Sequence, residues 1–130
     1  MLIDAFKAAV EARDTEAMEA ALAEDVVFRS PVVYKPYEGR EATLFVLRAV
    51  LEVFEEFDYV DAVEGERSAM LIFRARVGDK EVEGLDHLTF DEAGLVSELR
   101  VMIRPMSGMY ALADAMRRQL EAAGVFPAAD

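Results

Sequence analysis

Residues 85–96 read Leu-Asp-His-Leu-Thr-Phe-Asp-Glu-Ala-Gly-Leu-Val and contain two structural signals in succession. Leu88 and Phe90 flank a polar residue, in the alternation that is typical of a half-buried β-strand. Residues 91–94 are then rich in turn-forming types, and apolar residues resume at Leu95. The segment therefore predicts two antiparallel strands joined by a four-residue hairpin loop.

The first of these strands also forms a predicted hairpin with the residues before it. We expect strands at residues 69–77 and 81–90, because apolar residues alternate there and residues 78–79, Gly-Asp, are a two-residue turn signal. A pairing of Val77 with Lys80 across this turn brings opposite charges together in two pairs, Arg76 with Glu81 and Arg74 with Glu83. Opposite charges at facing positions are stabilising, so they support this register.

The second hairpin joins residues 81–90 to a strand predicted at residues 95–104. A pairing of Phe90 with Leu95 sets the register, and it predicts two further facing pairs, Asp86 with Leu99 and His87 with Glu98. His87 is expected on the opposite face from Asp86, because successive strand residues point to opposite sides of a sheet. The two side chains therefore cannot act together in one pocket.

Asp86 is the one ionisable residue predicted on the apolar face of this sheet. Its expected neighbours there are Leu71, Phe73, Leu88 and Leu99. Apolar surroundings disfavour a charged carboxylate, so we expect a raised pKa for Asp86. Such a group suits a general acid or a hydrogen-bond donor to an oxygen, and the alternative is a structural aspartate that accepts hydrogen bonds.

Helices are predicted before and after the sheet. Apolar residues recur every three or four positions in residues 2–13, 15–23, 40–54 and 108–123, with Asp14 and Ser107 as expected N-caps of the second and fourth helices. The expected apolar stripe of the third helix is Ala42, Phe45, Val46, Ala49, Val50 and Val53. Residues 26–30 and 57–63 read as further strands, and residues 31–39 as a loop. This order predicts an α+β fold in which the helices cover one face of the sheet.

The composition is that of one acidic domain spanning residues 1–130. The chain has 14 Lys and Arg against 26 Asp and Glu, giving a formal charge of −12, and 54% of its residues are hydrophobic. Nucleic acids and anionic membranes bind clustered positive charge, so neither is an expected partner. No apolar run is long enough to span a bilayer, and we expect a cytoplasmic protein. The absence of cysteine excludes disulfides and thiolate chemistry.

Several segments together resemble a known family. They are residues 14–17 (Asp-Thr-Glu-Ala), 24–31 (Glu-Asp-Val-Val-Phe-Arg-Ser-Pro), 37–42 (Tyr-Glu-Gly-Arg-Glu-Ala) and 85–96. These segments resemble the SnoaL-like and ketosteroid-isomerase-like branch of the nuclear transport factor 2-like superfamily. The resemblance implies a cone-shaped fold, in which a curled antiparallel sheet wraps around N-terminal helices and an extra C-terminal helix follows. The fold hosts isomerases, cyclases, hydrolases and non-catalytic domains, so it does not determine the activity.

The resemblance also assigns positions in the site. Ketosteroid isomerases place a first-helix tyrosine and a protonated strand aspartic acid at an oxyanion hole, and an aspartate before a proline is their base. Asp86 matches the strand acid, Phe6 stands at the tyrosine position, and Ser30 stands at the base position before Pro31. Two of the three groups are replaced, so a standard ketosteroid isomerase is not expected.

The predicted function is the binding of a small, largely apolar molecule in a cavity between sheet and helices. The candidate catalytic residues are Asp86, Ser30 and Tyr59, and the candidate ligand-binding residues are Phe6, Phe28, Tyr34, Phe54, Phe73, Leu88, Leu99, Val101 and Ile103. Any chemistry would be acid/base catalysis of isomerase, cyclase or hydrolase type, with no cofactor and no metal. The alternative is a non-catalytic dimeric module for ligand binding or protein interaction.

The outer sheet face and the methionines allow two further expectations. Ile72, Leu85 and Met102 form an apolar centre with a charged rim on the outer face, an arrangement typical of a two-fold interface, and the resemblance also implies a homodimer through this face. Met102, Met106, Met109 and Met116 are expected either to form an adaptable lid over the cavity or to fill the core.

Overall fold

The computed structural model describes residues 1–124, which form four helices and six strands. In chain order these are α1 (Ile3–Ala12), α2 (Thr15–Ala21), β1 (Leu22–Arg29), β2 (Tyr37–Glu38), α3 (Arg40–Val53), β3 (Glu55–Glu64), β4 (Ser68–Val77), β5 (Lys80–Phe90), β6 (Val96–Arg104) and α4 (Met106–Ala122). Within this described part, no helix combines the length and apolar character needed to cross a membrane.

All six strands belong to one curled sheet in the order β2-β1-β6-β5-β4-β3. The predicted α+β cone with its extra C-terminal helix is confirmed. The sheet is mixed rather than wholly antiparallel, because β1 runs parallel to β6. The short strand β2 lies within residues 31–39, which were predicted as a loop, and it pairs with Val27 and Phe28 of β1.

The β4–β5 hairpin has the predicted register. Val77 pairs with Lys80, and the two predicted pairs of opposite charge face each other. Leu71 lies opposite Asp86, and Phe73 lies opposite Gly84. The alternation of residue types together with a two-residue turn was therefore sufficient to set this hairpin.

The predicted register of the β5–β6 hairpin is wrong by two residues. Leu95 belongs to the turn, where its backbone nitrogen donates to the Asp91 side chain at 3.0 Å, so Phe90 pairs with Val96 instead. A bulge then shifts the register by a further residue. Asp86 consequently lies opposite Val101 and His87 opposite Arg100, in place of Leu99 and Glu98. The two one-residue shifts add up to two residues, and side chains alternate between the faces with a period of two. The same residues therefore share the inner face as predicted, and Asp86 still faces inward.

The predicted helix boundaries agree with the structure better than the predicted N-cap residues do. The Asp14 side chain accepts a hydrogen bond from the Ala17 backbone nitrogen at 3.1 Å and caps α2 as predicted. The predicted cap Ser107 is wrong, because α4 begins at Met106 and its N-cap residue, Pro105, makes no side-chain capping bond. Ser107 lies in the first turn of the helix.

The inner side of α3 also differs from the predicted stripe. The buried residues of this helix are Thr43, Leu44, Val46, Leu47, Ala49 and Leu51. Phe45, which was predicted on the stripe, is 39% exposed. Both sides of the helix are rich in apolar residues, so periodicity alone did not identify the side that packs on the sheet.

Candidate active site

A cavity opens between the concave face of the sheet and helices α1, α3 and α4. Its empty space is about 600 Å³, the open mouth included. Six aromatic side chains border it, namely Phe6, Phe28, Phe54, Phe57, Tyr59 and Phe73. The polar side chains on its wall, among the described residues, belong to Ser30, Tyr59 and Asp86. The cavity is therefore apolar with a small number of oxygen atoms, which is typical of a site for a small organic molecule.

Asp86 is held in the wall by the central strand β5. It lies between Leu71 of β4 and Val101 of β6, and only 8% of its surface is exposed. Among residues 1–124, the buried polar or charged residues are Thr43 and Asp86. A carboxyl group at such a position is costly when charged, and structures retain it where it has a partner or a function.

Tyr59 provides the partner of Asp86 from strand β3. Its hydroxyl donates a hydrogen bond to Asp86 Oδ2 at 3.2 Å. Two irregularities in the β3–β4 pairing lie on either side of residues 58–59, and Glu56 has a left-handed backbone with φ of 53°. Such bulges bend a strand and redirect its side chains. The curled edge strand thereby brings the tyrosine to the central-strand carboxyl.

The pKa of Asp86 is raised from 3.8 to about 7, as the sequence led us to expect. Burial of the carboxylate is the cause, and the hydrogen bond from Tyr59 partly offsets it by lowering the pKa. The pKa of Tyr59 is raised well above its ordinary value, first by burial and then by the nearby Asp86 carboxylate. Near neutral pH Asp86 can therefore either donate or accept a proton, whereas Tyr59 stays protonated.

Phe6 and Ser30, which the family resemblance placed at the site, border the cavity as well. Phe6 of α1 is 1% exposed and contributes an apolar ring to the wall. Ser30 follows β1, and its hydroxyl oxygen accepts a hydrogen bond from the Val32 backbone nitrogen at 3.0 Å. This bond holds the turn after Ser30 and leaves the hydroxyl hydrogen for another acceptor.

Nine of the twelve predicted site residues border the cavity, and three do not. Those on the wall are Phe6, Phe28, Ser30, Phe54, Tyr59, Phe73, Asp86, Val101 and Ile103. Leu88 and Leu99 are fully buried, but they form a facing pair toward the β5–β6 turn and do not reach the cavity. Tyr34 is 91% exposed and lies away from the wall. On β5 and β6 the cavity is bordered by Asp86, Val101 and Ile103, and Leu88 and Leu99 lie two residues further toward the turn.

Sequence reasoning missed most of the helical wall. The additional residues are Val10, Pro31, Val32, Val46, Leu47, Val50, Leu51, Phe57 and Leu112, while Met116, one of the four methionines expected over the cavity or in the core, also borders it. Those from α3 and α4 reach the site only through the packing of helices on the sheet. Phe57 carried a detectable signal, because it precedes Tyr59 by two positions in the same strand.

His87 and the acidic residues do not contribute a metal centre in the described part of the chain. Nowhere in residues 1–124 do three or more His, Cys, Asp or Glu side chains converge as metal ligands. His87 lies on the outer face of β5, between Met70 of β4 and Arg100 of β6.

Comparison with known proteins finds one matching domain family and several structures with a similar fold. The SnoaL-like domain family matches residues 3–99. A steroid delta-isomerase from Pseudomonas aeruginosa is 38% identical, with 94% of this chain and 90% of that chain covered and a TM-score of 0.89. An uncharacterized bacterial protein with a cystatin-like fold from Silicibacter pomeroyi is 33% identical, with 95% and 87% covered and a TM-score of 0.90.

More distant structures share the fold alone. An NTF2-like protein of unknown function from Mesorhizobium loti is 18% identical, with 80% of this chain and 88% of that chain covered and a TM-score of 0.71. No curated protein matches the sequence.

Proposed function

The chain belongs to the SnoaL-like family, and from this premise we propose that its cavity binds a small, largely apolar molecule through one oxygen atom. The observation that supports the proposal is the buried Asp86 carboxyl, hydrogen-bonded to Tyr59 in an otherwise apolar wall. A protonated Asp86 donates to a carbonyl or hydroxyl oxygen of the ligand, and the aromatic rings pack against the ligand's apolar body.

We further propose acid/base chemistry of isomerase, cyclase or hydrolase type without a cofactor. Asp86 has a pKa of about 7, so it gives or takes one proton at the ligand near neutral pH. Tyr59 holds the carboxyl in place and stabilises its charged form. Ser30 borders the same cavity, and we assign its hydroxyl to a second oxygen of the ligand. This assignment uses only groups on the cavity wall.

A non-catalytic binding module is the alternative, and one observation favours it. Phe6 and Ser30 stand at the positions where ketosteroid isomerases hold a tyrosine and a base, so two acid/base groups are replaced. A site with one carboxyl can bind an oxygen without turning over the ligand. The two roles differ in whether a proton is transferred to or from carbon.

Binding can be tested with a matched pair of probes, 4-propylphenol and propylbenzene, by isothermal titration calorimetry at pH 6. The hydroxyl should improve the affinity about tenfold, because it hydrogen-bonds Asp86. In Asp86→Leu that preference should disappear while propylbenzene still binds. Equal affinities of the native protein for the two probes would contradict the role of Asp86 as polar anchor.

Catalysis can be tested separately by deuterium exchange. Proton NMR in deuterated buffer would follow loss of the α-hydrogens of propiophenone, an enolisable aryl ketone. An acid/base enzyme should accelerate exchange, and Asp86→Asn should remove the acceleration. Probe binding without exchange would favour the non-catalytic module for this class of ketone.

We also propose that two copies associate through the outer face of the sheet. Ile72, Leu85 and Met102 lie in facing positions on β4, β5 and β6, and Met102 is 56% exposed. Glu83 forms ion pairs with Arg74 at 3.7 Å and Arg104 at 3.2 Å beside this centre. An apolar centre with a charged rim is suited to a two-fold interface.

A further inference from the structure

A second space lies next to the cavity beneath helix α4. Its empty volume is about 330 Å³, its mouth included. It is bordered by Val33, Tyr37, Ala113, Arg117 and Leu120, together with four residues that also border the first cavity. Asp86 and Tyr59 border only the first space, so the second space lies across a shared wall from the polar pair.

The shared wall consists of four side chains. They are Ser30 and Val32 from the segment after β1, Val46 from α3, and Met116 from α4. Ser30 is fixed by its hydrogen bond with the Val32 backbone nitrogen, and Val46 is a β-branched residue on a helix, with a stiff side chain. Met116 is the unbranched member, with three rotatable side-chain bonds and 8% exposure. Met116 therefore has the most side-chain freedom of the four residues.

Helix α4 contacts the rest of the fold on both sides of Met116. At its start, Gly108 packs against β5 so closely that an added Cβ would lie 2.5 Å from Val82 Cγ1. Beyond Met116, the Gln119 side chain hydrogen-bonds Glu52 of α3. The side chain of Met116 is thus the adaptable part of the wall.

The second space is suited to an apolar group. Val33 and Leu120 are buried there, and Tyr37 stacks on Phe28 of the first cavity, with ring centroids 6.0 Å apart. The charged residue on its border, Arg117, is ion-paired with Asp114 at 2.5 Å, and its side chain is 59% exposed. Because Asp114 and solvent already stabilise the charge of Arg117, the ligand needs no charged group inside the space.

We propose that Met116 is a gate between the two spaces, and that the ligand is an elongated molecule with its oxygen at Asp86 and an apolar chain extending past Met116. This inference rests on the proposed ligand-binding function and specifies the shape of the ligand. Compact ligands fill only the first cavity, whereas a ligand with a longer chain displaces Met116 and occupies the space beneath α4.

The test is a homologous series of 4-alkylphenols from 4-propylphenol to 4-heptylphenol, measured by isothermal titration calorimetry. In the native protein each added methylene should improve the affinity about threefold to fourfold, because burying a methylene contributes about 0.8 kcal/mol. Met116→Ala should preserve or steepen this increase. Met116→Phe should abolish this increase for the long members, since a rigid ring closes the passage, so that within this variant they bind no more tightly than 4-propylphenol.

Met109→Ala is the matched control, because Met109 lies on the same helix and borders neither space. Its chain-length dependence should equal that of the native protein. If 4-propylphenol binds but the affinity stops increasing at the same chain length in the native, Met116→Ala and Met116→Phe proteins, the gate is refuted and the proposed function stands. If 4-propylphenol does not bind the native protein, the proposed function fails, and the gate fails with it.

Discussion

Asp86 shows how one carboxyl group acquires its properties from its neighbours. Strand β5 carries it toward the helices, where burial raises its pKa to about 7, and the Tyr59 hydroxyl prevents the pKa from rising further. The group is therefore poised to change charge near neutral pH. Any ligand oxygen that reaches it also changes this balance, because a donor favours the carboxylate and an acceptor favours the acid.

The raised pKa predicts a pH-dependent penalty on stability. Below about pH 4 both the folded and the unfolded states hold the proton, whereas between about pH 4 and 7 only the unfolded state releases it. The free energy of unfolding should therefore fall as the pH rises through this window. The shift from 3.8 to about 7 corresponds to about 4 kcal/mol, at about 1.36 kcal/mol per pKa unit.

Asp86→Asn tests this linkage by urea unfolding at pH 4, 6 and 8. The amide cannot ionise, so the variant should gain up to about 4 kcal/mol relative to the native protein between pH 4 and 8. Asp79→Asn removes the same charge from the exposed β4–β5 turn and controls for net charge. If the pH profiles of the two variants run parallel, the penalty from the buried carboxylate is absent.

Among the secondary-structure elements, the β4–β5 hairpin depends on a close contact between a glycine and an aromatic ring. Gly84 faces Phe73, and a Cβ built on Gly84 would lie 2.2 Å from the end of that ring. The same ring packs near Phe57, with centroids 5.1 Å apart, and Tyr59, with centroids 6.5 Å apart. Gly84 thus leaves the space that allows Phe73 to support the tyrosine of the site.

Gly84→Ala should destabilise the protein by about 1–3 kcal/mol, because the methyl group displaces the Phe73 ring from a packed core. Differential scanning calorimetry or urea unfolding would measure the loss. The double variant Gly84→Ala with Phe73→Leu should recover part of the stability, since the smaller side chain makes room for the methyl group.

Gly65→Ala is the matched control for this change. An added Cβ there would lie 3.3 Å from the Ser68 hydroxyl oxygen, and the backbone of Gly65 is not left-handed. This substitution should cost much less than Gly84→Ala. Equal losses at the two glycines would indicate that backbone entropy, and not the contact with Phe73, explains the requirement for Gly84.

At the scale of the whole molecule, the two faces of the sheet have different roles. Helices cover the concave face, and the cavity lies there, while the outer face presents Ile72, Leu85 and Met102 in facing positions. If two copies pair through the outer face, each cavity remains on the far side of the pair. Pairing then leaves ligand access through the helical layer unobstructed.

The proposed dimer predicts a mass of twice the 14.5 kDa of one chain in light scattering coupled to size-exclusion chromatography. Met102→Glu should yield the single-chain mass, because it places a charge at the apolar centre without disturbing the core. Phe45→Glu is the control, since Phe45 is a similarly apolar, 39% exposed residue on α3. A native protein that elutes at the single-chain mass would contradict the dimer.

Particular residues show which strand pairings and which cavity residues could be predicted from the sequence. The facing pair Leu71 and Asp86 followed from a two-residue turn. Asp86 was predicted opposite Leu99 and lies opposite Val101, because alternation reveals neither the place of Leu95 in the turn nor the bulge that follows. Leu88 and Leu99 were assigned to the cavity because they share a face with Asp86. The sheet is longer than the cavity, and only the packed helices show where along a strand the open space begins.

The sequence by itself determined the order of elements, the family resemblance and the inward direction of Asp86. These depend on local periodicity, turn residues and parity, all of which are properties of neighbouring positions. The tertiary structure decided that Tyr59 reaches Asp86, that α3 turns Leu47 and Leu51 toward the cavity, and that Met116 borders two spaces. Each of these depends on strand bending or helix packing between residues distant in the chain, for which a single sequence carries no periodic signal.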